Sequence, residues 1–366
     1  MSEVSRHCGQ IIFGGFTGTE LPTSFSAALS RGERGGAVLF RRNIGSWGQV
    51  AALNASVAAA GGLVAVDQEG GRVARLGAPV LSLPPMRTLG DLDRDALTRG
   101  VGEALGRQLK ALGFHVDFAP VLDVDSNPDN PVIGDRSFGR TPAVVARHGI
   151  AFARGLQAGG VAACGKHFPG HGDTSVDSHL TLPTVERDAD ALDRLELWPF
   201  RCAVEKMPDL AAIMSAHVVF RAPNDETKPS RPATLAPRFA TELLREHLGF
   251  EGVLFSDDLE MGALRHSLGL PVPESAVEAV RAGCDAVLIC SDEAAQDAAF
   301  GALVRAAERA SEYRGRVAEA AGRVARLKAR FGGHVDASAT EALEKRLESL
   351  GREVKAALER ALADSA

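Results

Sequence analysis

The chain has 366 residues, 45% of them hydrophobic, and a formal net charge of -6. That length and apolar fraction suffice for one barrel-sized core with an appendage, and mild acidity without a basic, aromatic-studded stripe excludes a nucleic-acid partner. No apolar run approaches the ~18 residues of a membrane span, no export signal is legible, and five cysteines set in apolar runs read as reduced thiols of a cytoplasmic protein.

The predicted elements alternate. A short apolar run at 10–14 precedes a helix at 24–31, and a second run at 37–44 precedes an alanine-rich helix at 47–60. The third strand opens LVAVDQEGGRVARL at 63–76 and gives way to a polar loop holding Asp67, Glu69, Arg72 and Arg75. A helix at 95–112 leads to a fourth strand, HVDFAPVLDV, which ends near Asp125 and is followed by a long loop containing Arg136. A helix at 142–158 leads to the fifth strand, which ends in Lys166 and His167. Beyond a helix at 189–206 come a sixth strand at 211–220, a proline-rich loop, and a seventh strand at 252–256 that runs into Asp257 and Asp258. A helix at 274–282 precedes the eighth strand at 285–290, and helical sequence continues to about 331.

Eight apolar runs, each followed by a helix, predict an α/β fold of the (β/α)8 TIM-barrel type, because parallel strands covered on both faces read as continuous apolar runs. The alternative is a doubly wound open sheet. It is disfavoured because GGFTGTE at 14–20 lacks the glycine spacing of a phosphate loop. Residues 1–333 form the predicted barrel domain, and Gly332-Gly333 separates it from a C-terminal extension, 334–366. In that extension Leu343, Leu347, Leu350, Val354 and Leu358 recur at helical spacing, so an amphipathic helix packed on the barrel exterior is expected rather than a dimerising one.

The segment GKHFPGHGDTSVDSHLTLP, 165–183, concentrates three histidines, a lysine and two aspartates among helix breakers. Asp177 and His179 lie two apart, which in extended or looping backbone lets the two side chains share a face and pair. Each charged residue also has a structural reading. Asp67 and Arg75 suit an ion pair across Gly70-Gly71, Arg136 a partner in Asp135 or Asp129, and Lys166 a counterion in Asp67 or Asp123. Asp257 and Asp258 read as one carboxylate for the barrel mouth and one cap, with the order open; His171 and His217 read as satisfied structural histidines. His167 and His171 are four apart, but Pro169, Gly170 and Gly172 exclude the helix on which that spacing would bind zinc, so no metal and no cofactor are expected.

Taken together, VDQEGGRVARL, the RSFG after NPVIGD, KHFPGHGDTSVDSHLTLP and FSDDLEM resemble the family 3 glycoside hydrolases, over about residues 8–330. They are most similar to its cytoplasmic bacterial β-N-acetylglucosaminidases of peptidoglycan recycling. The resemblance implies Asp257 as the nucleophile of a retaining reaction, Asp258 in support, and His179 polarised by Asp177 as general acid and base. It further implies that Asp67, Arg75, Arg136, Lys166 and His167 bind N-acetylglucosamine. Thr181 and Glu260 depart from the usual glycine and serine. The expected substrate is a small GlcNAc-containing muropeptide, with no nucleic-acid or membrane partner and a monomer or weak dimer as the working state. A phosphorylase using the same residues, a metal-dependent hydrolase built on His167, His171 and Asp257, and a non-catalytic sugar-binding barrel are the alternatives.

Overall fold

A strand made only of apolar residues is stable where both its faces are covered, and here a ring of helices outside and a packed interior cover them. The computed structural model describes residues 1–174, 182–221, 231–333 and 340–365. Its barrel strands are β1 (Ile12–Gly14), β2 (Gly36–Leu39), β3 (Leu63–Val66), β4 (Val116–Asp117), β5 (Ala162–Phe168), β6 (Ala212–Ser215), β7 (Val253–Asp258) and β8 (Ala286–Ile289). Each pairs in parallel with its chain neighbours and β8 closes on β1, with Ile12 opposite Val287. The predicted barrel is the observed one. Inside it, the buried rings of Phe13 and Phe118 both meet Phe255 edge-on, at centroid distances of 5.1 and 5.4 Å.

Four details differ from the sequence reading. The fourth strand keeps regular pairing only over Val116–Asp117, since Pro120 has no N–H to give a ladder. The sixth run divides: β6 stays in the barrel, and Val219–Arg221 pairs outside it with Thr184–Glu186. The polar loop after β3 is a small hairpin of Gln68–Gly70 against Val73–Ala74, turning through Gly70 and Gly71 at φ of 112° and 53°, conformations that glycine adopts freely. Finally, Glu3–Gln10 is a helix whose N-cap Ser2 accepts a hydrogen bond from Ser5 N, with Glu3 favouring its N-terminus.

The C-terminal helix, Thr340–Ser365, buries Leu343, Leu347, Leu358 and Ala361. It packs mainly on the helix Asp95–Ala111. Gln108 ties that interface to the segment that contacts the small hairpin after β3. Its Nε2 donates to Leu347 O (2.7 Å) and its Oε1 accepts from Leu81 N (2.8 Å). Two residues beyond Leu81, Leu83 O accepts from Gly71 N in the hairpin.

Candidate active site

All eight strands point their carboxyl ends to one face, where a parallel barrel gathers its functional side chains. On that face lies a cavity of about 200 Å³ lined by Asp67, Glu69, Arg75, Arg136, Lys166, His167, His171, Asp257 and Asp258 among apolar walls that include Phe40, Phe118, Met214 and Leu288. This is smaller than the ~300–1,000 Å³ of sites for drug-sized ligands, and suits a single small polar molecule. Of the expected site residues, Asp67, Arg75, Arg136, Lys166, His167 and Asp257 are brought together here. Asp177 and His179 lie outside the described residues.

One wall is a chain of opposite charges. Arg75 Nη2 reaches Asp67 Oδ2 at 3.3 Å, Lys166 Nζ reaches Asp67 Oδ1 at 2.8 Å and Glu69 Oε1 at 2.6 Å, and Arg136 grips both Glu69 oxygens at 2.8 Å. Of the alternatives left open for Lys166, Asp67 is therefore the partner and Asp123 is not. Arg136 pairs with neither Asp135 nor Asp129. Asp135 instead faces Arg72 at 3.7 Å. Burial alone pushes the Glu69 carboxyl up, but Arg136 and Lys166 hold it well below the usual carboxylate range. The same carboxylates keep the buried Lys166 firmly charged against desolvation.

A second wall is built on Asp123. This fully buried carboxylate accepts from His167 Nδ1 (2.7 Å), His167 N and His171 N (2.8 Å). The Nδ1 contact fixes the orientation of the imidazole, leaving Nε2 as its unassigned edge. His171 turns its Nδ1 to Thr174 Oγ1 (2.8 Å), and burial followed by the neighbouring His167 lowers its pKa to about 4, so it is neutral in ordinary buffers. Among the described residues, no group of three or more His, Cys, Asp or Glu is placed to hold a metal ion.

The third wall is the end of β7. Asp257 and Asp258 both line the cavity, and the capping role falls to the second, the Oδ1 of Asp258 accepting from Glu260 N (3.1 Å) and Cys290 N (3.3 Å). The two carboxyls are tuned apart. Burial pushes Asp257 up, but His217, His167, the Asp258 N–H and Lys166 more than offset it and hold it below its ordinary value. Burial, with the charges of Glu260 and Asp257, pushes Asp258 up to about 7. Near neutral pH the first is ionised and the second is substantially protonated.

Sequence reasoning gave Glu69 no role at the site and left Asp123 only as a possible counterion. Both had a signal, an acidic residue at the end of an apolar run, but their partners come from other strands. The departure at Glu260 also has a structural task, its carboxylate accepting from Ser291 N, Ser291 Oγ and Asp292 N to brace the turn after β8.

A small carboxylate-rich cavity on the carboxyl face of a closed parallel barrel defines a TIM-barrel enzyme for a small, polar substrate. The model of the glycosyl hydrolase family 3 N-terminal domain matches residues 17–327. A β-hexosaminidase of Nitrosomonas eutropha is 42% identical over 291 residues, which is 76% of this chain and 80% of the relative. The structure of a family 3 β-N-acetylglucosaminidase from Paenibacillus sp. superposes with a TM-score of 0.85 at 38% identity, over 96% of this chain and 69% of that one. NagZ from Neisseria gonorrhoeae, in complex with N-trifluoroacetyl-D-glucosamine, superposes at 0.75 with 32% identity, over 96% and 97% of the two chains. The chain belongs to glycoside hydrolase family 3.

Proposed function

We propose that this enzyme is a retaining β-N-acetylglucosaminidase, a β-hexosaminidase that releases a terminal, non-reducing GlcNAc from small peptidoglycan fragments such as GlcNAc-1,6-anhydroMurNAc and its peptides. The observation that carries the reading is the placement of Asp257, at the end of β7, in the cavity that Asp67, Arg75, Arg136, Lys166 and His167 also line. Asp257 is kept anionic in a cavity of one-sugar size, as a nucleophile must be. In this reading Asp257 attacks the anomeric carbon and forms a glycosyl-Asp ester as the aglycone oxygen leaves. His179, oriented by Asp177, protonates that oxygen and then takes a proton from the water that hydrolyses the ester.

Sugar hydroxyls are neutral and prefer fixed, charge-assisted partners. The wall Arg75, Asp67, Lys166, Glu69, Arg136 supplies them with little net charge, and His167, braced by Asp123, adds a further edge. The five buried, unpaired cysteines agree with a reducing cytoplasm. No described helix is long and apolar enough to cross a membrane. A monomer or weak dimer, with residues 1–333 as the catalytic unit, completes the proposal.

The test is hydrolysis of an aryl β-N-acetylglucosaminide by wild type and Asp257→Asn, with mass spectrometry for a glycosyl adduct on Asp257. Activity that resists EDTA, an adduct on the wild type and no turnover by the variant support the reading. Turnover by Asp257→Asn, or its abolition in wild type by EDTA, sinks it. Running the reaction in phosphate and looking for the sugar 1-phosphate separates hydrolase from phosphorylase.

A further inference from the structure

The backbone that carries Asp257 is held by the barrel ladder on one side only. Between β6 and β7 the register runs Val253 to Ala212, Leu254 to Ile213 and Phe255 to Met214, and no pair follows. On the other side the register to β8 breaks after Phe255 and resumes at Asp258, opposite Leu288, with the side chain of Ser256 accepting from Leu288 N (3.0 Å) in between. Where the ladder on the β6 side gives out, a side chain takes its place. His217, fully buried just after β6, brings Nε2 to 3.0 Å from the carbonyl oxygen of Asp258. A carbonyl only accepts, so Nε2 carries the proton. The same carbonyl also accepts from Met261 N (3.1 Å), while Asp258 N donates to Asp257 Oδ1 (2.8 Å).

The imidazole is itself fixed. Its Nδ1 lies 2.8 Å from the Thr234 hydroxyl, which lies 2.8 Å from Ser215 Oγ and 3.0 Å from Ala216 O. Thr234 and Ser215 are as buried as His217. A satisfied, buried network of this kind rigidifies whatever it grips. Here it grips the residue immediately after Asp257.

We propose that His217 is the positioning residue of the nucleophile: its Nε2–H, locked by Thr234, holds the Asp258 carbonyl and thereby sets the approach of Asp257 to the anomeric carbon. This rests on the reading of Asp257 as nucleophile. Misplacing a reacting atom by about 1 Å can cost ~100-fold in rate, so the effect belongs in kcat and in the rate of glycosyl-enzyme formation, not in KM.

The experiment compares His217→Gln, whose amide can place an N–H near the Nε2 position, with His217→Asn, whose shorter amide reaches Thr234 but not Asp258, and with Thr234→Val. Steady-state and pre-steady-state hydrolysis of an aryl β-N-acetylglucosaminide are read beside the thermal midpoint. The expected result is a loss of about 100-fold in kcat for His217→Asn with KM little changed, and a loss below about 10-fold for His217→Gln. Thr234→Val falls between them. Equal activity in the Gln and Asn variants, or a loss confined to KM, overturns the proposal. If His217→Asn does not fold, unchanged kcat in Thr234→Val overturns it equally. Turnover by Asp257→Ala would instead refute the nucleophile reading, whereas an inactive Asp257→Ala beside a flat His217 and Thr234 series refutes only the positioning role.

Discussion

Arg136 and Glu69, sixty-seven positions apart, form a two-point ion pair, Nε to Oε2 and Nη2 to Oε1 at 2.8 Å each, with Glu69 only 1% exposed. The pair welds the hairpin after β3 to the turn Gly134–Arg136, and Lys166 joins them from β5. Three separate segments are thus fixed around one carboxylate, so this wall of the cavity is braced before any ligand arrives.

Glu69→Gln should therefore destabilise the fold as well as weaken binding, because it leaves Arg136 and Lys166 sharing one less charge in a desolvated place. Breaking a buried pair typically costs ~3–5 kcal/mol. The Glu69 pKa is depressed, so its contribution is present above the ordinary glutamate pKa of ~4.3 and fades as pH falls below it. Denaturant unfolding at pH 7 and pH 3 should show a wide gap between wild type and variant at pH 7 and a narrower one at pH 3.

Asp258→Asn should have the opposite sign. The pKa of Asp258 is raised to about 7. The unfolded chain consequently ionises first, and stability is lost between the ordinary aspartate value of ~3.9 and about 7. Removing the charge should stabilise the protein above neutrality, on the order of 1–4 kcal/mol, and change little at pH 4. Thermal unfolding at pH 4 and pH 8 checks this; an equal shift at both would show that ionisation is not the cause.

Asp123→Asn should raise KM about 10- to 100-fold on an aryl β-N-acetylglucosaminide, since it removes the acceptor that aligns His167 Nδ1 and the backbone of the 167–171 turn. Steady-state kinetics on wild type and variant decide it. A variant indistinguishable from wild type would remove His167 from the binding wall.

Gln108 predicts a long-range effect of the C-terminal helix. Gln108→Leu cuts the links to Leu347 O and Leu81 N. It leaves every cavity residue in place. We expect a cost of ~1–3 kcal/mol from the orphaned backbone groups and faster amide hydrogen exchange at Leu81 and Gly71, whereas Leu347→Ala should cost ~2–5 kcal/mol by emptying a fully buried site. Unchanged exchange at Gly71 would uncouple the helix from the hairpin.

His179→Ala should lose more activity on natural fragments than on aryl glycosides with good leaving groups, which need less protonation. The measurement is kcat across aryl leaving groups of differing pKa, and an equal loss on all of them would argue against His179 as the acid.

The barrel was legible in the sequence because its signal is local: eight continuous apolar runs alternating with helices can close only with both faces covered. Asp67, Lys166, His167 and Asp257 were legible for a related reason, since a polar residue that ends an apolar run falls at the carboxyl end of a barrel strand. Pairing was not legible. Arg136 has Asp135 beside it in sequence yet reaches Glu69, Lys166 joins Asp67 and Glu69 rather than Asp123, and His217 meets the Asp258 carbonyl only because β6 and β7 are neighbours in the ring. Such contacts depend on strand order, register and the points where the ladder stops, which are properties of the closed sheet as a whole. Sequence by itself determined which residues carry charge and that they gather at one face; tertiary structure decided which charges neutralise one another, and so which of the two adjacent aspartates stays ionised.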